Sequence, residues 1–248
     1  MRDMLRVATL ISGGGTTMQA IVQASKFGIL EGKVRVVLVI ASKKDAGGIA
    51  KAKAEGISQE DILVFLPSRK NPEAFGAKII EACRVRGVDL IGQYGWMVKT
   101  PENVIEAYPG MMINQHPGPL DPGRPDFGGK GMFGLRVHCA RLYFVQNVRR
   151  EYVARDNWTE ATAQRVAKNY DEGTLLRTSR VPIVSDDSPE TLAKRVLPRE
   201  HEVQIRTLQD FALGLVRECV RVRPLVLPGE EAVLEKAKQV ATLLYPRG

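Results

Sequence analysis

The sequence predicts an α/β protein built on an open, mostly parallel sheet with helices on both faces. Apolar, β-branched runs of strand length recur through the first half, at Leu5–Ile11, Val34–Ile40, Asp61–Leu66 and Val88–Tyr94. A stretch with helical spacing follows each of them, where a hairpin protein would have a tight turn. The runs are apolar almost throughout and do not alternate, which is the pattern of strands covered on both faces.

The first strand stops at Ser12-Gly13-Gly14-Gly15-Thr16-Thr17 and a helical pattern runs from Met18 to Lys26. Consecutive glycines permit positive φ and close backbone approach, and the free N–H groups of a helix start attract an anion. A phosphate is the natural ligand, with Thr16 and Thr17 supplying hydroxyls. The loop is neither GxGxxG nor a lysine-bearing phosphate loop, and it also reads as a plain strand-to-helix turn. Next come a helix over Ala46–Glu55, the third strand, and the loop Pro67-Ser68-Arg69-Lys70. Pro72 suits the first turn of a helix reaching about Arg86. The fourth strand runs into Gly95-Trp96-Met97-Val98, and Thr100-Pro101-Glu102 opens a short helix.

Met111–Ile113 reads as the end of a buried strand, so Asn114 and His116, two apart, point to one side of it. Right-handed crossovers put the Ser12, Ser68, Gly95 and Asn114 loops along one edge of the sheet, where ligands of such folds sit. An amide beside an imidazole suits acyl chemistry: both hydrogen-bond a developing oxyanion, and the ring moves a proton. An Asx-type turn with a satisfied histidine would look the same locally.

Beyond it, Asp126–Gly134 is glycine-rich around Lys130. Arg136–Arg155 reads as a helix carrying Arg136, Arg141, Arg149, Arg150 and Arg155, with Leu142, Val145 and Val148 as its apolar stripe. Two readings fit: a basic cap that attracts an anionic nucleotide or a folate's glutamate tail, or a solvated surface helix. Strand-like runs at Thr159–Ala167 and Thr174–Ile183 flank the turn that holds Asp171. Ser188-Pro189-Glu190 starts a helix or helix pair to about Cys219, Val222–Pro228 connects, and Gly229–Leu244 is a final amphipathic helix.

The composition is that of a globular protein: of 248 residues, 44% are hydrophobic and 26% charged. The formal net charge of +8 favours acidic ligands and makes nucleic acid a partner to consider. Cys83, Cys139 and Cys219 are scattered, with no CxxC pair and no secretory leader, so a reduced, cytoplasmic enzyme is expected. No apolar run approaches the roughly 18–20 residues that a spanning helix needs, so no membrane partner is expected.

In order and spacing, ISGGGTTMQAIVQA, DLIGQYGWMV, INQHPGPL and YDEGTLLRTSRVPIVSDDSPETLAKRV resemble the glycinamide ribonucleotide formyltransferase family. The resemblance covers most of residues 5–210. It implies a formyltransferase-like, Rossmann-type fold and one domain over 1–248, with an insertion at about 120–158 and a helical tail at about 222–248. It implies formyl transfer from 10-formyltetrahydrofolate to the amine of glycinamide ribonucleotide in purine biosynthesis, with no metal. The partners so implied are small molecules, a phosphorylated ribonucleotide and a folate; a homodimer is open. The catalytic residues carried over are Asn114, His116 and Asp171. The nucleotide would be held by Gly13, Gly14, Gly15, Thr16, Thr17, Arg69 and Glu200. The folate pocket would be walled by Tyr94, Gly95, Trp96, Met97 and Val98.

Four departures stand out. Thr17 replaces the family's usual asparagine, the loop after His116 reads PGPLDPGRP in place of PSLLP, and Gln164 stands where a histidine often precedes the aspartate. His138 is a candidate substitute for that histidine, or a buried histidine without a role. The fourth departure is the insertion itself.

Rivals differ by identifiable features. Formyltetrahydrofolate deformylase shares the fold and triad but carries an amino-terminal regulatory domain, whereas the first strand here begins at about Leu5. Methionyl-tRNA formyltransferase has a carboxyl-terminal barrel for which the tail is too short. Transfer to another amine needs no change in the motifs. A non-enzymatic nucleic-acid-binding protein would use the arginine-rich face and bind with steep salt dependence. A dinucleotide dehydrogenase is disfavoured, since GxGxxG is missing and the second strand ends Ala41-Ser42-Lys43-Lys44 with no acidic residue.

Overall fold

Strand β1, Leu5–Ile11, is the central strand of the first of two units, and its last five residues are buried. A computed structural model describes residues 4–148 and 157–248. The units comprise Met1–Gln115 with Gln204–Arg217, and His116–Val203 with Glu218–Gly248.

In the first unit the chain alternates strand and helix: β1, α1 (Thr16–Phe27), β2 (Val34–Ala41), α2 (Gly47–Ala54), β3 (Ile62–Val64), α3 (Pro72–Val85), β4 (Leu90–Gln93), α4 (Glu102–Ala107) and β5 (Met112–His116). The strands lie in the order β3-β2-β1-β4-β5, all parallel, as expected of strands joined by helices. Leu10, Ile11, Leu38, Ile40 and Leu90 are fully buried, and their burial holds the sheet. Helix α3 begins as predicted, with Pro72 in its first turn and the Asn71 side chain accepting from the Ala74 amide at 2.9 Å.

The third strand is shorter than the apolar run from Asp61 to Leu66. Gln59–Asp61 forms a single 3-10 turn, and Asp61 Oδ1 accepts from Arg86 Nε at 2.7 Å. As the outermost strand of this unit, β3 leaves Val64 and Leu66 37% and 59% exposed. Strand β5 continues through Asn114 to His116, and Asn114 stands opposite Gln93 on β4.

The second unit holds α5 (Leu135–Asn147), β6 (Trp158–Arg165), β7 (Leu175–Pro182), most of α6 (Pro189–Leu213) and α7 (Glu231–Leu244). β6 and β7 are antiparallel, with a register shift between Ala163 and Gln164. Helix α6 is one continuous helix with Pro198 inside it, where a helix or pair was expected. Its start is closed by Ser188, whose Oγ accepts from the Thr191 amide at 3.2 Å.

Helix α5 is no solvated surface helix. Leu142 and Val145 join a core with Ala161, Ala163, Val181, Ile183, Leu192 and Val196. From other turns of the helix, Val137, Ala140 and Phe144 join a second core with Phe127 and with Leu234, Ala237 and Ala241 of α7. The segment after His116 and the carboxyl-terminal tail therefore share a core. Arg141, expected on a basic face, is fully buried; its guanidinium lies 4.9, 5.8 and 5.0 Å from the ring centres of Phe127, Phe144 and Trp158. Its Nε donates to the Trp158 carbonyl at 2.8 Å. A guanidinium tolerates this because its flat faces stack on rings while its edge hydrogen-bonds. Arg136 donates to the carbonyls of Gly131, Tyr245 and Pro246. Arg149, Arg150 and Arg155 lie outside the described residues.

Candidate active site

In the first unit, the glycine turn after β1 is shaped by backbone contact with the start of α2. Gly15 has φ +66°, and a Cβ there would stand 2.6 Å from the Gly48 Cα. The Gly48 amide donates to the Gly13 carbonyl at 3.0 Å, and Lys51 Nζ donates to the Gly14 carbonyl at 2.8 Å. Gly13 has open space where a Cβ would be. Thr16 opens α1 and Thr17 is buried. The loop therefore meets the conditions for an anion: close backbone, a helix start and a nearby ammonium.

Ser12 ties this loop to the end of β4. Its Oγ accepts from Ser42 Oγ at 2.7 Å and from the Met97 amide at 2.9 Å, while its own amide donates to the Gly95 carbonyl at 3.0 Å. In the Tyr94–Val98 segment, Tyr94 and Trp96 are buried and Met97 is 52% exposed. Trp96 stacks parallel to Phe75, with ring centres 6.4 Å apart, as a core residue does. Gly95 takes φ +70°, which turns the chain away from the strand. Arg69 is exposed on the loop before α3.

In the second unit, His116 is 2% exposed, and its Nδ1 lies 3.7 Å from Asp171 Oδ1. Among the described residues its Nε2 has no hydrogen-bond partner. Asp171 sits in the β6–β7 turn at φ +59°, and it is the one non-glycine residue with positive φ among the described residues. That conformation is uncommon for a side-chain-bearing residue but tolerated by aspartate. Both carboxylate oxygens are engaged: Oδ1 accepts from Gln164 Nε2 at 2.7 Å, and Oδ2 from the Gly129 amide at 2.9 Å. Gln164 thus binds the aspartate directly.

A second carboxylate lies in the same region. Asp126 accepts from the amides of Asp121 and Gly128 at 2.7 and 2.8 Å. Burial pushes its carboxyl pKa up, opposed by these amides and by the charges of His116 and Lys238. His138 is buried with Nδ1 unpartnered; burial first, and then the charge of His116, push its pKa down to about 4. It is therefore a neutral imidazole at neutral pH. Lys130 is exposed, whereas Lys238 of α7, unremarked in the sequence, donates to the Gly128 carbonyl at 2.8 Å. Glu200, which reads as a helical surface residue in the sequence, is buried on α6.

The formyl transferase family matches residues 5–133, which is more than half of the chain. The chain belongs to the formyl transferase family. It is 33% identical over 205 residues to a chloroplastic phosphoribosylglycinamide formyltransferase of Arabidopsis thaliana, covering 82% of this chain and 64% of the relative. With phosphoribosylglycinamide formyltransferase of Escherichia coli K12 it shares 26% identity over 86% of this chain and 90% of the relative. Among solved structures, phosphoribosylglycinamide formyltransferase from Brucella melitensis is 33% identical with a TM-score of 0.68, covering 87% of this chain and all of that one. Glycinamide ribonucleotide transformylase 1 from Symbiobacterium toebii is 29% identical with a TM-score of 0.70, over 86% and 90% of the two chains. The chain spans somewhat less than two thirds of the length of the chloroplastic relatives of Arabidopsis thaliana and Vigna unguiculata, 64% and 60%. As a formyl transferase family member it has the expected α/β fold. Among the described residues no helix is long and apolar enough to cross a membrane, and no group of three or more His, Cys, Asp or Glu residues is arranged to hold a metal.

Proposed function

We propose that this chain transfers the formyl group of 10-formyltetrahydrofolate to the amine of glycinamide ribonucleotide, a step of purine biosynthesis. The observation that carries the reading is the buried His116, with Asp171 3.7 Å from one ring nitrogen and the other nitrogen unpartnered among the described residues. Membership of the family and the names of the relatives support the choice of substrates.

In this reading the ribonucleotide amine attacks the formyl carbon, and the bond from that carbon to the folate nitrogen breaks. Asn114 and His116 hydrogen-bond the formyl oxygen as negative charge develops on it. Asp171 stabilises the protonated ring and helps carry the amine proton to the departing nitrogen. The Gly13–Thr17 loop holds the nucleotide phosphate; Lys51, already seated on that loop, adds a cation that the sequence alone does not single out. Arg69 and Glu200 belong to the nucleotide site and Tyr94–Val98 to the folate site, where the exposed Met97 supplies apolar surface. The reading needs no metal and places the enzyme in the cytoplasm, working on small molecules, as a monomer or homodimer.

The test is an absorbance assay of folate product release with 10-formyltetrahydrofolate, with and without glycinamide ribonucleotide. Release that needs the nucleotide supports the transferase. Release without it means deformylation, and no release in either case overturns the reading.

A further inference from the structure

The loop beneath Asp171 is gripped from the carboxyl-terminal helix. Lys238 Nζ donates to the Gly128 carbonyl at 2.8 Å, and the amide of that same peptide, the Gly129 N–H, donates to Asp171 Oδ2 at 2.9 Å. One planar peptide thus joins an ammonium to a carboxylate. Because the peptide is conjugated, a cation on its oxygen strengthens its N–H as a donor.

The surroundings fix this arrangement. A Cβ on Gly128 would stand 2.5 Å from Leu120 Cδ2 and 2.7 Å from Asp171 Cβ, so the bare backbone presses against the aspartate. Gly129 has φ +97°, and the Gly128 amide is held by Asp126 Oδ1 at 2.8 Å. Helix α7 is anchored by Leu234, Ala237 and Ala241 in the core it shares with Phe127 and Phe144. Lys238 is half-buried: burial pushes its pKa down, against the charges of Asp126, Glu235, Asp171 and Glu172. The charge of His116 acts on Asp126 and on His138, and Asp126 also acts on Arg221.

We propose that Lys238 is a positioning residue, which holds the Asp171 carboxylate fixed beside His116 through the Gly128–Gly129 peptide. The inference rests on the proposed roles of His116 and Asp171. It gives the carboxyl-terminal helix a part in the chemistry, and it answers the fixed geometry of Asp171, whose Oδ1 must stay near the ring while its backbone holds an uncommon conformation.

Lys238→Met and Lys238→Arg in the full chain test it. Lys238→Met should lower kcat about tenfold, the scale for losing one charge-assisted contact, with both KM values unchanged, and Lys238→Arg should restore most of the loss. In an Asp171→Asn background, Lys238→Met should cost nothing further, because the charge it acts on is gone. In 15N-labelled protein without substrates, the Gly129 amide proton should move upfield in Lys238→Met and stay in place in Lys238→Arg. Should Lys238→Met not fold, Lys238→Gln, which keeps a neutral donor, carries the same measurements. An unmoved Gly129 resonance, an unchanged kcat, or an equal loss in the Asp171→Asn background overturns the inference. If the wild-type chain transfers no formyl group, the proposed function fails, and the Gly129 resonance alone decides whether Lys238 acts on Asp171.

Discussion

His116 Nδ1 and Asp171 Oδ1 are 3.7 Å apart, and the carboxylate accepts its short hydrogen bonds from Gln164 and Gly129 instead. In the proposed role Asp171 therefore acts on the ring by charge at close range, not by sharing a proton with it. The ring nitrogen that faces away from this contact carries no partner among the described residues, as a group that meets a substrate oxygen requires.

Replacing either member should remove turnover while sparing the fold. His116→Ala should lower kcat by about two orders of magnitude or more, the scale for losing an oxyanion or proton-transfer group. Asp171→Asn should do the same at nearly unchanged melting temperature, because asparagine accepts the φ of +59° as readily as aspartate and its NH2 meets an acceptor once the Gln164 amide turns over. Steady-state rates and thermal melts on the two variants decide this. Near-normal turnover in both would remove the site assignment.

Gly15→Ala should be costly at the glycine loop. The new Cβ would meet the Gly48 Cα at 2.6 Å with φ at +66°, and backbone does not yield as a side chain does. A loss of about 1–3 kcal/mol in urea unfolding is expected. The KM for the nucleotide should rise while that for the folate is held, since the N–H groups proposed to bind the phosphate are displaced.

Glu160 is fully buried on β6 and is paired with Arg221, which also donates from Nε to the Leu120 carbonyl at 2.5 Å. Arg221→Ala would strand that carboxylate and should cost about 3–5 kcal/mol in chemical unfolding. Adding Glu160→Gln should recover part of the loss, because a neutral amide is cheaper to bury. Equal instability of the single and double variants would show that the arginine matters for packing instead.

The contrast between the two halves explains what could be read in advance. Leu5–Ile11 coincides with β1 residue for residue, because an apolar run ending in glycine is a local signal. The run at Asp61–Leu66 overshoots β3, because an edge strand needs few apolar residues and Asp61 is claimed by the distant Arg86. Arginines at helical spacing look like a solvated face. The burial of Arg141 depends on Phe127, Phe144 and Trp158, which converge on it from three segments, and no periodicity records that. The motif residues Asn114 and His116 were visible on their own strand, and Asp171 only through the family resemblance. Lys238 was invisible, because its contact with the Gly128–Gly129 peptide is purely tertiary; the lysine within that glycine-rich run, Lys130, points to solvent.

His138 gives the protein a pH dependence whose sign follows from its burial. Its pKa is held at about 4 in the fold, against 6.5 for the free side chain, chiefly by loss of hydration and secondly by the charge of His116. Between those values the unfolded chain binds a proton that the folded one refuses, so stability falls as pH drops from about 6.5 towards 4 and levels off below. The full effect is on the order of 3 kcal/mol, which is large against ordinary folding stability. Urea unfolding at pH 7 and at pH 4.5 should show the loss in the wild-type chain and a clearly smaller one in His138→Gln, which has no proton to gain. Because Nδ1 of His138 is unpartnered, the glutamine should fit without breaking a bond at that atom, so stability at pH 7 should change little. An identical pH slope in the two proteins would mean that the destabilising protonation belongs to another group.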